Sequence, residues 1–439
     1  SHEWFQLLSK TLKEMGFIQH REDVDTCLFT HEKWDINIVS HVDDCLVDYS
    51  EETYFKKLTK RLTECGFEYT ESEKVLRVLG LTITENEDSI TISQPKYVEE
   101  MLQEFDQSKC TERSVPPTEW FKETSENDEE FNNNTFRSAI GCLAYLARMS
   151  RPDIEWITFH LATFVSKPCK RHWEAIIQLF GYLKKYPDIG IRFSIPKDGD
   201  SLWQFYVDAD WAGDINTRKS TTGYIIQFMN GPLITKSKRQ RITSLSSTES
   251  EYCAFTDFLK DIKWIKKVAN ALKIPFPEPA IIKNDNQTAE NLATGMAKLK
   301  RTKHIDARYH FIKEAVDLGI VKFLHIPRDD NIADMFTHPL NRTLHEFYRK
   351  KVLNEPQAKA LLAKSAEIEK SLVSNAAFIT IDEKISNYMF QRGYTKGYNN
   401  AIASVNNEIQ QMFGADREAL FKNIPTLRDV YRQKDNIFN

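Results

Sequence analysis

The hydrophobic pattern changes period repeatedly along the chain. Trp4, Leu7, Leu8, Leu12 and Met15 fall at helical spacing ahead of Gly16, which predicts a short amphipathic helix within residues 1–22. The runs TCLFTHEK and WDINIVSHVDDCLVDYS read as strands, and residues 51–68 as a helix. VLRVLGLTITENEDSITISQPKYVEEMLQEF gives strand, turn, strand and helix, with Glu85 to Asp88 in the turn and Lys96 to Phe105 in the helix. Residues 106–134 are polar and hold Pro116-Pro117 and a run of Asn at 132–134, the pattern of a linker or loop. Residues 135–186 read as mostly helical, punctuated by Pro152 and Pro168, which suit helix starts.

The stretch LWQFYVDADWAGDINTRKSTTGY, Leu202 to Tyr224, predicts a β-hairpin with Asp208 and Asp210 at its lip. A carboxylate at the end of a buried strand is held rigidly yet reaches solvent, which suits a divalent metal. A surface turn rich in Asp, Gly and Asn fits the same residues, so both readings stand at this point. Asp43-Asp44 poses the same choice. Two adjacent carboxylates inside an apolar run are costly to bury unpartnered, which places them at a hairpin tip, as a metal site or a plain turn.

Composition narrows the classes. The 439 residues allow two to four domains, and 41% hydrophobic with 28% charged is an ordinary globular balance. The net charge of -4 gives no global nucleic-acid signature, so such binding needs local patches. Seven scattered cysteines without a CxxC pair favour a reducing, intracellular setting and offer no zinc site. No apolar run approaches about 18 residues, so no membrane partner is expected. Ser1 in place of an initiator Met points to a fragment of something longer.

The order of several stretches resembles the reverse transcriptase–RNase H end of copia-type LTR retrotransposon polyproteins. The matching stretches are HVDDCLVDYS, VLGLTITENEDSITISQPKYVEEML, FRSAIGCLAYLARMSRPDI, HWEAIIQLFGYLK, DADWAGDINTRKSTTGY, SLSSTESEYCAF, DNQTAENLA, KHIDARYHFIKE and NIADMFTHPL. They run from about Trp4 to about Leu340 in family order. The resemblance implies an α+β, multidomain chain. Residues 1–110 would be a truncated reverse-transcriptase palm and thumb, and 111–200 a linker and connection helices. Residues 201–345 would form an RNase H-like α/β domain, and 346–439 a helical C-terminal tail of unknown role. Beyond about Glu355 the resemblance stops.

Asp43 and Asp44 would then be the palm's catalytic and metal-binding pair. The family's polymerases are expected to need a third carboxylate further upstream, and Asp23 and Asp25 lie too close to the hairpin to supply it. His41 also stands where the family has an aromatic residue. Polymerase activity is therefore expected only if the missing part is supplied, for instance in trans by another polyprotein product.

The resemblance places RNase H carboxylates at Asp208, Glu251, Asp285 and Asp334, holding Mg²⁺ or Mn²⁺. Two such ions about 4 Å apart activate water and stabilise the leaving oxygen in phosphodiester hydrolysis. Each position has an ambiguity read from its neighbours. Ser246-x-x-Glu249 and Thr248-x-x-Glu251 are both capping-box patterns, so Glu251 could cap its helix instead of binding metal. Asp210 competes with Asp208, and Asp329 and Asp330 precede Asp334. His325 and His338 flank Asp334, outside any recognisable mobile-histidine loop. For an RNA–DNA hybrid partner, Lys236, Lys238, Arg239 and Arg241 beside the site, and Lys303, His304 and Arg308 further on, are candidate phosphate contacts, against a solvated helix face for the latter group. The expected function is hydrolysis of RNA in RNA–DNA hybrids, in a cytoplasmic particle or the nucleus. The alternative is a non-catalytic nucleic-acid-binding remnant, decayed or domesticated.

Overall fold

A computed structural model describes residues 2–22, 24–41, 44–69, 76–78, 80–197, 201–287 and 303–356. Helix α1 (His2–Glu14) stops before Gly16, whose φ of +95° is open to glycine without strain. Its Leu8 and Leu12 pack on the antiparallel sheet β1 (Ile18–Gln19), β2 (Leu28–His31), β3 (Ile36–His41) and β4 (Asp44–Tyr49), and α2 (Glu52–Glu64) adds Leu58 to that core. The last β3–β4 rung pairs His41 with Asp44, so Asp44 stands at the open end of this hairpin. Asp44 is exposed there, and Asp43 lies outside the described residues.

Strands β5 (Leu76–Val78), β6 (Leu81–Asn86) and β7 (Ser89–Ser93) form an antiparallel meander that leads into α3 (Pro95–Glu104), with proline at its first position. Residues 106–132 contain no helix or named strand, as the polar composition suggests, but they are docked. Phe121 is buried, its N–H donates to His160 Nε2 at 3.0 Å, and its carbonyl accepts from Asn216 Nδ2 at 3.0 Å. Pro116, Pro117 and Phe121 are buried and Trp120 partly so, within a stretch whose charges conceal it.

Helices α4 (Asn133–Met149), α5 (Glu155–Ala162) and α6 (Lys170–Lys185) follow, and Asn132 caps α4 by accepting from Thr135 N–H at 3.0 Å. Pro152 opens the 3₁₀ turn Pro152–Ile154, whereas Pro168 lies just ahead of α6. Strand β8 (Ile191–Ser194) returns to pair with β7 and completes the second sheet.

The turn before α5 is a buried ionic knot. Arg151 grips Asp153 through Nε (2.9 Å) and Nη2 (2.8 Å) and donates Nη1 to Tyr186 O at 2.8 Å. Tyr182 of α6 donates its hydroxyl to Asp153 Oδ2 at 2.6 Å. Burial alone would raise the Asp153 pKa, but the Arg151 charge and these bonds hold it below the usual range.

The third sheet is mixed. Strands β9 (Trp203–Asp210), β10 (Thr221–Phe228) and β11 (Gly231–Arg239) form an antiparallel meander; β12 (Ala280–Asn284) adds parallel to β9, and β13 (Val321–His325) parallel to β12. The resulting order is β11-β10-β9-β12-β13. The 25-residue α7 (Ser247–Ala271) bridges β11 to β12, and α8 (Lys303–Asp317) precedes β13. α7 buries Tyr252, Phe255, Phe258, Leu259, Ile262, Ile265 and Val268, a stripe at helical spacing against one sheet face. The opposite face carries the 3₁₀ turn Ile332–Phe336 and α9 (Arg342–Val352), whose Phe336, Tyr348 and Val352 pack with Ile225. α9 also reaches the ionic knot, where His345 Nε2 donates to Asp153 O at 3.2 Å. Fully buried Glu155 clamps α5 to β11 by accepting from Arg148, from Thr235 Oγ1 at 2.6 Å and from Ser237 N–H.

The expected α+β, several-sheet architecture is what the chain forms. Among the described residues no helix is long and apolar enough to cross a membrane. Beyond α9, the expected helical tail from residue 357 onward lies outside the described residues.

Candidate active site

Strand pairing sets the first carboxylate. Asp208 pairs with Gly223 and Asp210 with Thr221, the last rung of the hairpin. Asp210 is therefore the lip residue, while Asp208 sits two positions inside and is buried. Both project from the same face as Tyr206, because side chains alternate along a strand. The 3₁₀ turn Ile332–Phe336 covers that face and delivers Asp334, followed by Thr337 and His338. Ligand atoms of Asp208, Asp334 and His338 lie within 4.8 Å of one another.

Thr337 Oγ1 donates to Asp208 Oδ2 at 2.7 Å and holds the turn against the strand. This approach requires a glycine opposite: a Cβ on Gly223 would stand 2.5 Å from Thr337 Cγ2 and 2.9 Å from Ala333 O. Gly223→Ala is expected to lower stability by about 1–3 kcal/mol through overpacking and to move Thr337 off Asp208. Thermal denaturation together with a nuclease assay on the same variant would check both effects.

Asp285 directly follows β12, whose parallel pairing with β9 brings it alongside Asp208. Asn331 fixes the junction. Its Nδ2 donates to Asp285 Oδ1 at 3.0 Å and to Val207 O at 3.1 Å, and its Oδ1 accepts from Ala333 N–H at 3.3 Å. One amide thus ties β9, the end of β12 and the Asp334 turn together.

Helix capping decides between the two glutamates of α7. Ser246 Oγ accepts from Glu249 N–H at 3.1 Å, and Glu249 Oε2 accepts from Leu245 N–H at 2.7 Å. Glu249 is the capping residue. Glu251 is left free to face the other carboxylates, 4% exposed, with Oε2 lacking a hydrogen-bond partner among the described residues. Ser246→Ala is expected to cost about 1 kcal/mol of stability with little change in chemistry, whereas Glu251→Gln should leave stability intact and lose activity. Equal activity losses in the two variants would contradict this division of labour.

Protein groups relieve the site's charge only in part. Asp208 is pushed up to about 7, by burial first and then by Asp334 and Asp285. Glu251 is raised well above its ordinary value by burial, then by Asp208 and Asp285, with an Asn286 hydrogen bond opposing. Asp210 and Asp334 each rise to about 6, chiefly through burial. Arg328, 3.8 Å from Asp334 Oδ2, offsets part of this, and burial keeps His338 low despite Asp208 and Asp210 nearby. Asp210 Oδ2 is buried without a hydrogen-bond partner among the described residues. Clustered hard oxygens, two of them orphaned, fit a divalent cation, because metal binding would satisfy the orphans and neutralise the repulsion.

The basic candidates separate by their partners. Arg239 pairs with Asp214 at 2.8 Å and Lys238 with Asp257 at 3.6 Å, while Lys236 lies near Asp261. Arg241 is exposed. Arg308 donates Nη1 to Cys253 Sγ at 2.7 Å, so it braces α8 on α7. The side chains of Lys303 and His304 lie outside the described residues. Sequence reasoning missed Thr337, Asn331 and Gly223; only Asn331, a capping residue ahead of an apolar turn, carried a readable signal.

A mixed sheet with acidic side chains from four separate segments at one end defines an α/β protein with a polyanionic site at its strand termini. Among compared proteins, the Pol polyprotein from transposon TNT 1-94 of Nicotiana tabacum is 30% identical over 362 residues, covering 80% of this chain and 27% of that one. The Pol polyprotein from transposon RE2 of Arabidopsis thaliana is 29% identical over 351 residues, covering 80% and 24%. Over 80% of its length the chain is homologous to these retrovirus-related transposon Pol polyproteins, and it spans about a quarter of theirs. No family model matches it. A solved LC11-RNase H1 in complex with RNA/DNA hybrid aligns with 36% of this chain and 99% of its own, at 19% identity and a TM-score of 0.25.

Proposed function

We propose that residues 201–345 form an RNase H-type nuclease that hydrolyses RNA in RNA–DNA hybrids with Mg²⁺ or Mn²⁺. The observation that carries this reading is the convergence of Asp208, Glu251, Asp285 and Asp334 on one sheet end, with their charge only partly offset by Arg328. These four carboxylates would hold the metal, which when bound activates water and stabilises a leaving oxygen. The chain's own residues set the stage. Thr337 orients Asp208, Asn331 orients Asp285, and the Ser246–Glu249 cap frees Glu251 to face inward. Burial keeps bulk water from screening the cluster, so cation affinity rises with pH as the carboxylates lose protons. Burial holds the His338 pKa below its ordinary value and so disfavours a charged imidazole beside Asp334.

The antiparallel hairpin with Asp44 on its last rung supports reading residues 1–110 as part of a reverse-transcriptase palm and thumb, with 111–200 as connection. Polymerisation, other polyprotein products as partners, and a cytoplasmic-particle or nuclear location belong to the same proposal. The direct test is a labelled RNA–DNA hybrid incubated with Mg²⁺, Mn²⁺ or chelator. Metal-dependent shortening of the RNA strand is expected. Binding without cleavage at any metal concentration would favour the non-catalytic remnant instead.

A further inference from the structure

Trp211 follows Asp210 directly, yet 49% of it is exposed, and Leu245, beside its hydrogen-bond partner Ser244, is 82% exposed. The indole is nevertheless fixed. Its Nε1 donates to Ser244 O at 3.0 Å, Ser244 Oγ donates to Gln240 Oε1 at 3.1 Å, and Gln240 Nε2 donates to Thr222 Oγ1 at 3.0 Å and Ser250 O at 2.9 Å. From below, Ala212 holds a φ of +54° while its N–H donates to Ser220 Oγ at 3.1 Å. A left-handed alanine and a chain of side-chain bonds thus support an aromatic ring that adds little to the core. Strain of this kind persists where the surroundings impose it, and it clusters at functional sites.

The rim is cationic. Arg218 and Arg241 are exposed and make no ion pair among the described residues, and Arg218 lies close enough to Asp210 to oppose its raised pKa. Flat apolar surface edged by guanidinium groups matches a polyanion with stackable faces. We propose that Trp211 is a stacking platform for a base or ribose of the nucleic-acid strand entering the carboxylate site, with Leu245 extending it and Arg218 and Arg241 holding the backbone. This assignment rests on the nucleic-acid reading of the site given above.

The test measures equilibrium binding of a short labelled RNA–DNA hybrid to the full chain in an Asp208→Asn background, so that cleavage does not enter. Trp211→Ala should weaken binding about tenfold, while Trp211→Phe, which keeps the ring and loses the Ser244 bond, should stay within about threefold. Arg241→Ala should lower the salt dependence of binding by about one unit of slope, and Trp211→Ala should leave that slope unchanged. Hybrid binding unchanged in Trp211→Ala overturns the platform. So does an equal loss in Phe and Ala variants accompanied by equal falls in Tm, which assigns the indole a structural role. Concentration-dependent self-association abolished by Trp211→Ala, with hybrid affinity intact, also overturns it and makes the patch a protein contact. Cleavage in the Asp208-containing protein is scored separately. Trp211-dependent binding without cleavage sinks the nuclease and keeps the platform, and cleavage with Trp211-independent binding does the reverse.

Discussion

Asp208→Asn should abolish metal-dependent hydrolysis of the hybrid, by roughly 10³-fold or more, because a neutral amide cannot replace a charged oxygen ligand in such a site. The same variant should fold at least as well as the parent. Asp208 is pushed up to about 7 by burial, Asp334 and Asp285. A carboxyl group raised in the folded state contributes stability fully below its unfolded value, and that contribution is lost as pH climbs through the folded value. Without divalent cations the parent should therefore weaken between about pH 4 and pH 8, and Asp208→Asn should weaken less. A shift of about three units corresponds to roughly 4 kcal/mol at most, shared among coupled carboxylates. Thermal melts across this pH range, in chelator and then in Mg²⁺, separate the two effects. Mg²⁺ should restore the parent at pH 8 and barely move the variant. Wild-type cleavage by Asp208→Asn, or a melt that falls identically in both proteins, would refute the assignment.

Asp153→Ala should be the most destabilising single change away from the site. It strands Arg151, 1% exposed, and takes from the Tyr182 hydroxyl the carboxylate that accepts its proton. Breaking one partner of a buried pair costs about 3–5 kcal/mol, far more than the pair contributes when whole. For a chain this size the fall in Tm should be of the order of 10 °C. Replacing both residues, Arg151→Met with Asp153→Leu, should recover much of the loss, since no charge is left buried. Denaturation of Arg151→Met, Asp153→Leu and the double closes the cycle; additive losses would show that the pair is not coupled.

The Arg-Pro-Asp stretch illustrates what sequence could and could not deliver. It stood among the family-resembling stretches without a role, because its partners Tyr182, Tyr186 and His345 are 29 to 192 positions away. The four carboxylates were legible through the family resemblance, which placed them; the residues by themselves left Asp208 open against Asp210 and against a plain surface turn. Glu249 against Glu251 was undecidable locally, since Ser246 and Thr248 both start a capping box and only the observed helix start chooses. Thr337 was hidden because a 3₁₀ turn has too few residues to print a period, and Asn331 showed only as a cap, without the strand and carboxylate it ties together. The docking of residues 106–132 was hidden because a few buried residues, Pro116, Pro117 and Phe121, carry it with backbone hydrogen bonds inside an otherwise polar stretch.

Strand β8 completes the sheet of β5, β6 and β7 from well down the chain, 191 − 93 = 98 positions beyond β7. During synthesis at roughly 5–20 residues per second, β7 therefore waits some 5–20 seconds with its outer edge unpaired. An unpaired edge is a template for other strands, and nascent chains on one message sit close together. A slow stretch of translation before Ile191 would lengthen the exposure and a fast one would shorten it, so synonymous genes that differ across residues 94–190 are expected to differ in soluble yield, which expression side by side would check.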